Sequence, residues 1–285
     1  MRLRVLTYNI HKAIGVDGVF APERIAEILR HHDADIVLLQ EVDRNAPRSN
    51  HLDLASYLAR QLEYRYRAVG MNVHLKKGRY GNATLSRFPI GRQRNIDLTI
   101  GRRKSRGAQH ARVHFMRTGR TVDIDIFNVH LSLTAGLRRR QLERLLGSRS
   151  LNAPGDSGPC IIGGDMNDWQ GMLKRQQFRP AGFKCATNRR YGSRWAIRTF
   201  PSFAPAGGLD KIFYRGPLRL LHARRSRLKL ARVASDHLPV VVEFDLRRAA
   251  ARAPGREPPC RRGRVMTRPA MLSVNMMNAH DEQSR

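Results

Sequence analysis

The apolar run Cys160-Ile161-Ile162 ends in Gly163-Gly164-Asp165-Met166-Asn167-Asp168, and this junction constrains the chain more than any other segment. It reads as a buried strand that stops abruptly and presents polar groups at its mouth. The paired glycines let the backbone turn and let a ligand come close. Asp165 and Asn167, two apart on an extended chain, point the same way. A carboxylate so placed orients a water or binds a metal, and an amide donates to an oxyanion. The same residue types also close an ordinary Asx turn, so the segment gains meaning only from company.

Four further segments have the same build. Leu3 to Asn9 puts an amide at a strand end. Asp35 to Glu41 ends a continuous apolar strand with a carboxylate. Val122 to His130 alternates and finishes with Asn128 and His130 on one face. Ser235-Asp236-His237 precedes an apolar strand from Leu238 to Phe244. Strand ends that converge on one sheet edge are where α/β folds place their chemistry. The set supplies hard oxygen ligands and imidazoles with no cysteine, which points to Mg²⁺ or Mn²⁺ rather than structural zinc.

Thr7-Tyr8-Asn9, Leu39-Gln40-Glu41, Asn128-Val129-His130-Leu131, Gly163 to Asn167, Leu209-Asp210 and Ser235-Asp236-His237 stand in the order of the endonuclease/exonuclease/phosphatase superfamily. Each motif is short; six in order make the resemblance specific. Gly81 to Pro89 and Thr199-Phe200-Pro201-Ser202 also look like segments of that family. The resemblance implies a four-layered α/β/β/α sandwich of two stacked mixed sheets in two similar halves, although no internal repeat is visible.

It also implies roles. Glu41 is the expected first metal ligand, supported by Asn9 and by Asp236, which faces either the metal or a neighbouring ligand. Asp165 orients the attacking water and Asn167 holds a non-bridging oxygen. Asp210 and His237 form a carboxylate–imidazole dyad, in which His237 acts either as base or as a charged stabiliser. His130 donates to a phosphate oxygen or to the leaving group. Abasic-site endonucleases carry tyrosine where this chain has His130, and an acidic residue where it has His11. Asn82 stands near the position where deoxyribonucleases carry a glutamate, which disfavours a plain deoxyribonuclease. Asn82, Arg44 and Arg106 are candidate phosphate contacts, and Arg102 to Arg106 reads as a capture loop at the mouth, with His11, Lys12 and the Gly15–Gly18 loop as another rim.

The remaining features bound rather than identify. Helices are expected from Pro22, with Ile25, Ile28 and Leu29 inward; along Leu52 to Leu62; and over 137–146, with Arg138 among the solvent-facing arginines. His31-His32 reads as a solvated helix end, and Trp169 as a packing residue rather than a stacking platform. The net charge of +30 attracts polyanions, although arginine-rich composition alone produces such a number. From residue 247 the apolar period disappears. Nine arginines against three acidic residues give this stretch +6 and leave +24 on residues 1–246. The stretch is expected to be a disordered basic tail, either inert or a tether to nucleic acid or an anionic membrane surface. Three widely spaced cysteines, no apolar run long enough for a membrane helix and a strand pattern at the start are the grounds for expecting a cytoplasmic protein.

The sequence thus predicts a phosphoesterase dependent on Mg²⁺ or Mn²⁺ that hydrolyses a phosphodiester, whether lipid-type, small-molecule or nucleic acid. An endo- or exonuclease on DNA or RNA is the alternative, and a catalytically silent polyanion-binding module the second. Oligomeric state is not readable.

Overall fold

In the computed structural model, residues 1–117, 119–152, 158–189 and 195–246 are described; the expected tail from 247 lies outside them. Twelve strands form two six-stranded sheets. The first holds β1 (Arg2–Asn9), β2 (Ile36–Arg44), β3 (Tyr66–His74), β4 (Arg79–Ser86), β11 (Leu218–Arg225) and β12 (Val240–Leu246), in the order β11-β12-β1-β2-β4-β3. The second holds β5 (Ile90–Asp97), β6 (Gly107–Arg117), β7 (Arg120–His130), β8 (Cys160–Asp165), β9 (Lys184–Cys185) and β10 (Asp210–Arg215), in the order β5-β6-β7-β8-β10-β9. At the centre of each lies one parallel pair, β1 with β2 and β7 with β8. A parallel pair needs a crossover, supplied here by α1 (Pro22–His32) and by α3 (Ala135–Leu146). The two halves therefore repeat a strand–helix–strand plan that their sequences do not.

Side-chain alternation builds the layers. Leu3 and Val5 of β1 and Ile36 and Leu38 of β2 face the second sheet, where Ile124, Ile126 and Ile161 meet them. The intervening Leu6, Tyr8, Val37 and Leu39 face outward, under Ile25, Ile28 and Leu29 of α1 and Leu54 and Leu58 of α2 (Leu54–Gln61). Phe127, Val129 and Ile162 lie under Leu142 and Leu145 of α3 on the other outer face. Helix, sheet, sheet and helix stack as the α/β/β/α sandwich expected. Pro22 opens α1, and Asp53 caps α2 by accepting from the Ser56 N–H at 3.0 Å.

Two expectations about helices fail. Arg138 is buried, and its guanidinium donates to the carbonyls of Ser132 and Leu133, which a helix start leaves in reach. His32 is only 5% exposed rather than solvated: the exposed His31 ring meets it edge-on at 5.0 Å, and Arg4 donates to its carbonyl at 3.1 Å.

The inter-sheet layer changes character toward one end. Beyond Val5 comes Thr7, beyond Leu38 comes Gln40, beyond Ile126 comes Asn128, and all three polar residues are fully buried. Asn128 ties the sheets together. Its Nδ2 donates to the carbonyls of Leu39 and Ala83, each at 3.0 Å, and its Oδ1 accepts from Gln40 Nε2 at 2.8 Å. Gln40 in turn donates to Thr7, and Thr84 bonds Gln109 across the sheets. Asn82 belongs to the same layer: it sits inside β4, not in a turn, and its Nδ2 donates to the carbonyls of Asn128 and Gly107.

Removing one member of such a network strands its buried partners, which costs more than the net worth of the bonds. Asn128→Ala should lower unfolding free energy by about 2–4 kcal/mol in urea titration. A loss below about 0.5 kcal/mol, the usual scatter of surface substitutions, would remove the amide from its structural role.

Candidate active site

Beyond the amide layer the inner faces end in ionisable groups. Asp165 is the last residue of β8, in register with His130 of β7 on one side and Asp210 of β10 on the other. The glycines before it are required by crowding. A Cβ on Gly163 would lie 2.6 Å from Leu38 Cδ1, and one on Gly164 would lie 1.9 Å from the Val129 carbonyl oxygen. Gly164 also has φ of +140°, which L side chains rarely adopt. The first sheet contributes Asn9 from the end of β1, Glu41 from β2 and His237 from the loop before β12. Ser235 binds that loop to β1 by donating its hydroxyl to the Asn9 carbonyl at 2.7 Å.

Asp165 is the hub. Its Oδ2 accepts from Asn9 Nδ2 at 3.1 Å, and its Oδ1 accepts from the Asn167 backbone N–H at 2.9 Å. Two imidazoles approach the same Oδ2, His130 Nε2 at 3.6 Å and His237 Nε2 at 3.8 Å. Those distances exceed hydrogen bonds, so both nitrogens border a common space beside the carboxylate. Asn167 has φ of +49° and anchors its amide on the Leu131 carbonyl at 2.9 Å.

The two histidines hold opposite charge states. Burial alone would lower the His237 pKa, but Asp210, whose Oδ2 lies 2.8 Å from His237 Nδ1, and Asp165 and Asp236 push it up to about 10. Thr199 holds the same Asp210 oxygen, while Asp210 Oδ1 is buried without a partner. Burial pushes His130 down to about 4; Asp165 opposes this, and Arg106 reinforces it. At neutral pH His237 is therefore an imidazolium and His130 a neutral ring. Burial resists ionisation of Glu41, yet His130 and Lys12, whose Nζ lies 2.7 Å from Oε2, hold its pKa at about 2.

Of the expected phosphate contacts, Arg106 lies nearly buried, with Nε unpartnered and its charge felt at His130. Lys104 lies over the Tyr80 ring at 5.3 Å and within electrostatic reach of Glu41. Arg44 is turned to Asp53 at 3.3 Å, and the Asn82 amide nitrogen is spent on the inter-sheet carbonyls. Trp169 is half exposed; its ring packs on Gly207, where a Cβ would lie 2.6 Å from Cζ3, and meets Phe200 in a T-shaped contact. Asp236 is partly exposed and accepts from the Ser235 hydroxyl.

Sequence reasoning assigned no role to several supports. Lys211 and Asp168 form a buried pair at 2.9 Å, and Asp168 also accepts from the N–H groups of Met172 and Leu173. The signal was the carboxylate closing the Gly163–Asp168 segment. Thr199 opens the segment that packs Phe200 on His237, with ring centroids 4.9 Å apart, and Lys12, expected on the rim, is paired with Glu41.

Among the described residues no three His, Cys, Asp or Glu side chains are arranged to hold a metal. The donor chemistry nevertheless suits Mg²⁺, which binds through one or two carboxylates and keeps several waters. Glu41 is ionised and partly buried, and Asp210 Oδ1 is an acceptor left without a partner.

A sequence model of the Endonuclease/Exonuclease/phosphatase family matches residues 6–237. The chain belongs to that family. It is 31% identical to the uncharacterised protein YbhP of Escherichia coli K12 over 254 residues, 85% of this chain and 96% of YbhP. Its fold is similar to a Beutenbergia cavernae endonuclease/exonuclease/phosphatase (TM-score 0.69, 24% identity, 86% of this chain and 72% of that one). It is similar also to the Bacteroides thetaiotaomicron mannosyl-6-phosphatase Bt3783 (0.65, 21%, 85% and 99%). A third similar structure is D. rerio TDP2 complexed with single strand DNA product (0.64, 18%, 86% and 99%).

The His237 charge has a measurable consequence. A histidine raised from about 6.5 contributes stability that is complete below about pH 6.5 and is lost as pH climbs toward the folded value. Imidazole ¹⁵N spectra should show His237 still protonated at pH 8, titrating near pH 10, while His130 stays neutral down to about pH 4. In Asp210→Asn the His237 midpoint should fall. A His237 midpoint near 6.5 in the wild type would contradict the dyad.

Proposed function

We propose that the protein is a divalent-metal-dependent phosphoesterase that hydrolyses a phosphodiester by in-line attack of water. The observation that carries this reading is the convergence of Asp165, neutral His130 and cationic His237 on one space, at the polar ends of strands from both sheets. Asp165 keeps a lone pair on each oxygen beyond its bonds to Asn9 and Asn167, and so can accept the proton of an attacking water and aim it. His237, charged and fixed by Asp210, stabilises the negative charge that grows on the equatorial oxygens. His130, neutral and on the other side of Asp165, is the group to hold a leaving or non-bridging oxygen. The second hydrogen on Asn167 Nδ2 and the unpartnered Nε of Arg106 supply further donors.

Mg²⁺ or Mn²⁺ held by Glu41, with Asn9 and Asp236 as neighbouring oxygen donors, would supply Lewis-acid neutralisation of a phosphate oxygen. Lys12, now paired with Glu41, would then share or yield that carboxylate.

A diester fits better than a monoester because it has a second ester arm to place. Phe200 packs on His237, and Trp169 meets Phe200 edge-on at 5.7 Å, so an aromatic path leads outward from the centre.

Hydrolysis of bis-nitrophenyl phosphate should vanish in EDTA and return with Mg²⁺ or Mn²⁺. Asp165→Asn, which keeps the shape of the side chain, should lower turnover at least about a hundredfold. Full activity in chelator, or a variant within about threefold of wild type, would overturn the respective part of this reading.

A further inference from the structure

The aromatic path does not end at Trp169. Trp169 and Trp195, each about half exposed, line a small pocket with Arg189, Arg198 and Lys211. Arg189 and Arg198 also line a second, larger groove of about 900 Å³, whose other side is formed by Arg224 and Arg225 at the end of β11, Arg227 beyond it, and His32 at the end of α1. The two hollows are joined through those two arginines. Among the described residues, none that lines the larger groove is acidic.

The groove is charged and unneutralised. Among the described residues, none of the five arginines has a carboxylate partner. Burial and the neighbouring charges of Arg232, Arg227 and Arg198 lower the pKa of Arg225. His32 is buried with neither ring nitrogen hydrogen-bonded. Burial, His31, Arg224 and Arg4 push its pKa down to about 4. Charge on an edge strand is an ordinary guard against sheet-to-sheet pairing, and this accounts for Arg224. It does not account for Arg189, Arg198 and Arg227, which come from other segments to the same hollow. Uncompensated cations gathered in one concavity are the complement of a bound anion.

We propose that this groove is an exosite that holds backbone phosphates of a single-stranded nucleic acid. The scissile phosphate of that strand lies at the Asp165–His237 centre, and the exposed part of Trp169 stacks a base in between. The inference rests on the phosphodiesterase reading and gives it a substrate class. An exposed indole followed by a cationic groove gives the two parts that sequence-tolerant recognition of a single strand uses: a ring face for a base and arginines for the backbone. A duplex keeps its bases stacked on one another and offers the indole nothing.

The test is binding of a fluorescein-labelled oligothymidylate to the full chain in EDTA, read by anisotropy across a salt series. Because no cleavage is read, this result and that of the hydrolysis assay are independent. Arg224→Ala/Arg225→Ala/Arg227→Ala is compared with Arg65→Ala/Arg67→Ala/Arg94→Ala, an equal charge loss in another basic hollow. The groove variant should bind at least about tenfold more weakly than the control triple, with a log–log salt slope shallower by about two. Arg198→Glu, at an exposed position, should weaken binding in the same direction and serves if the triple variant folds poorly. Trp169→Ala should weaken oligothymidylate binding about tenfold and leave inorganic polyphosphate binding unchanged. Equal losses in the two triples would overturn the exosite. So would an unaffected Trp169→Ala, or a groove variant that loses binding to phosphatidylglycerol vesicles while keeping oligothymidylate.

Discussion

Two sheets packed face to face ordinarily bury an apolar layer from end to end, and the centre exists here because that layer is replaced by amides before it reaches the strand ends. Along β1 the inward residues run Leu3, Val5, Thr7, Asn9; along β7 they run Ile124, Ile126, Asn128, His130; along β8 they run Ile161, Gly163, Asp165. Polar groups in a dry interface are costly unless bonded. Asn128, Gln40, Thr7, Asn82, Thr84 and Gln109 bond one another or backbone carbonyls across the gap. This layer fixes the distance and register of the sheets at the point where Asp165 must meet Asn9 and His237. It separates the apolar core from the charges, so that neither has to accommodate the other.

Upon that base the centre divides its labour by electrostatics. Two histidines face one carboxylate oxygen at similar distances, yet one is charged and the other neutral. The difference lies behind the rings. His237 has Asp210 at its back and Asp236 next to it in the chain. His130 has burial and the cation of Arg106. Groups whose environments drive their pKa values apart are the ones that take distinct acid and base roles. The two-sheet architecture produces this asymmetry directly, since His130 arrives from the middle of a sheet and His237 from a loop pinned by Ser235.

Much of this was legible in the sequence because strand ends advertise themselves. An apolar alternation that breaks into Asn9, Glu41, His130 or Asp165 locates the polar edge without any knowledge of contacts, and the two-sheet sandwich followed from the family resemblance that these motifs carry. What stayed hidden depended on partners distant in the chain. Gly81-Asn82 resembles a turn, yet a Cβ at Gly81 would lie 2.0 Å from the Gly70 carbonyl oxygen, so this glycine serves strand contact inside β4. Arg138 occupies a polar position in the helical pattern but is drawn in by nearby carbonyls. His32 looks like a solvated helix end until Arg4 of β1 is bonded to its carbonyl. Local pattern reports the face of an element; it does not report what a neighbouring segment lays over that face.

The claim on which the account turns is that Asp165 aims a water directly at phosphorus, opposite the leaving oxygen, with no phosphorylated side chain between. Hydrolysis of a single diastereomer of a phosphorothioate diester in ¹⁸O-labelled water reads this directly through the configuration of the product. Direct attack predicts inversion at phosphorus with the label in the phosphorothioate product. Retention would mean two displacements and a covalent intermediate, on His130 or another nucleophile, and would contradict the role given to Asp165.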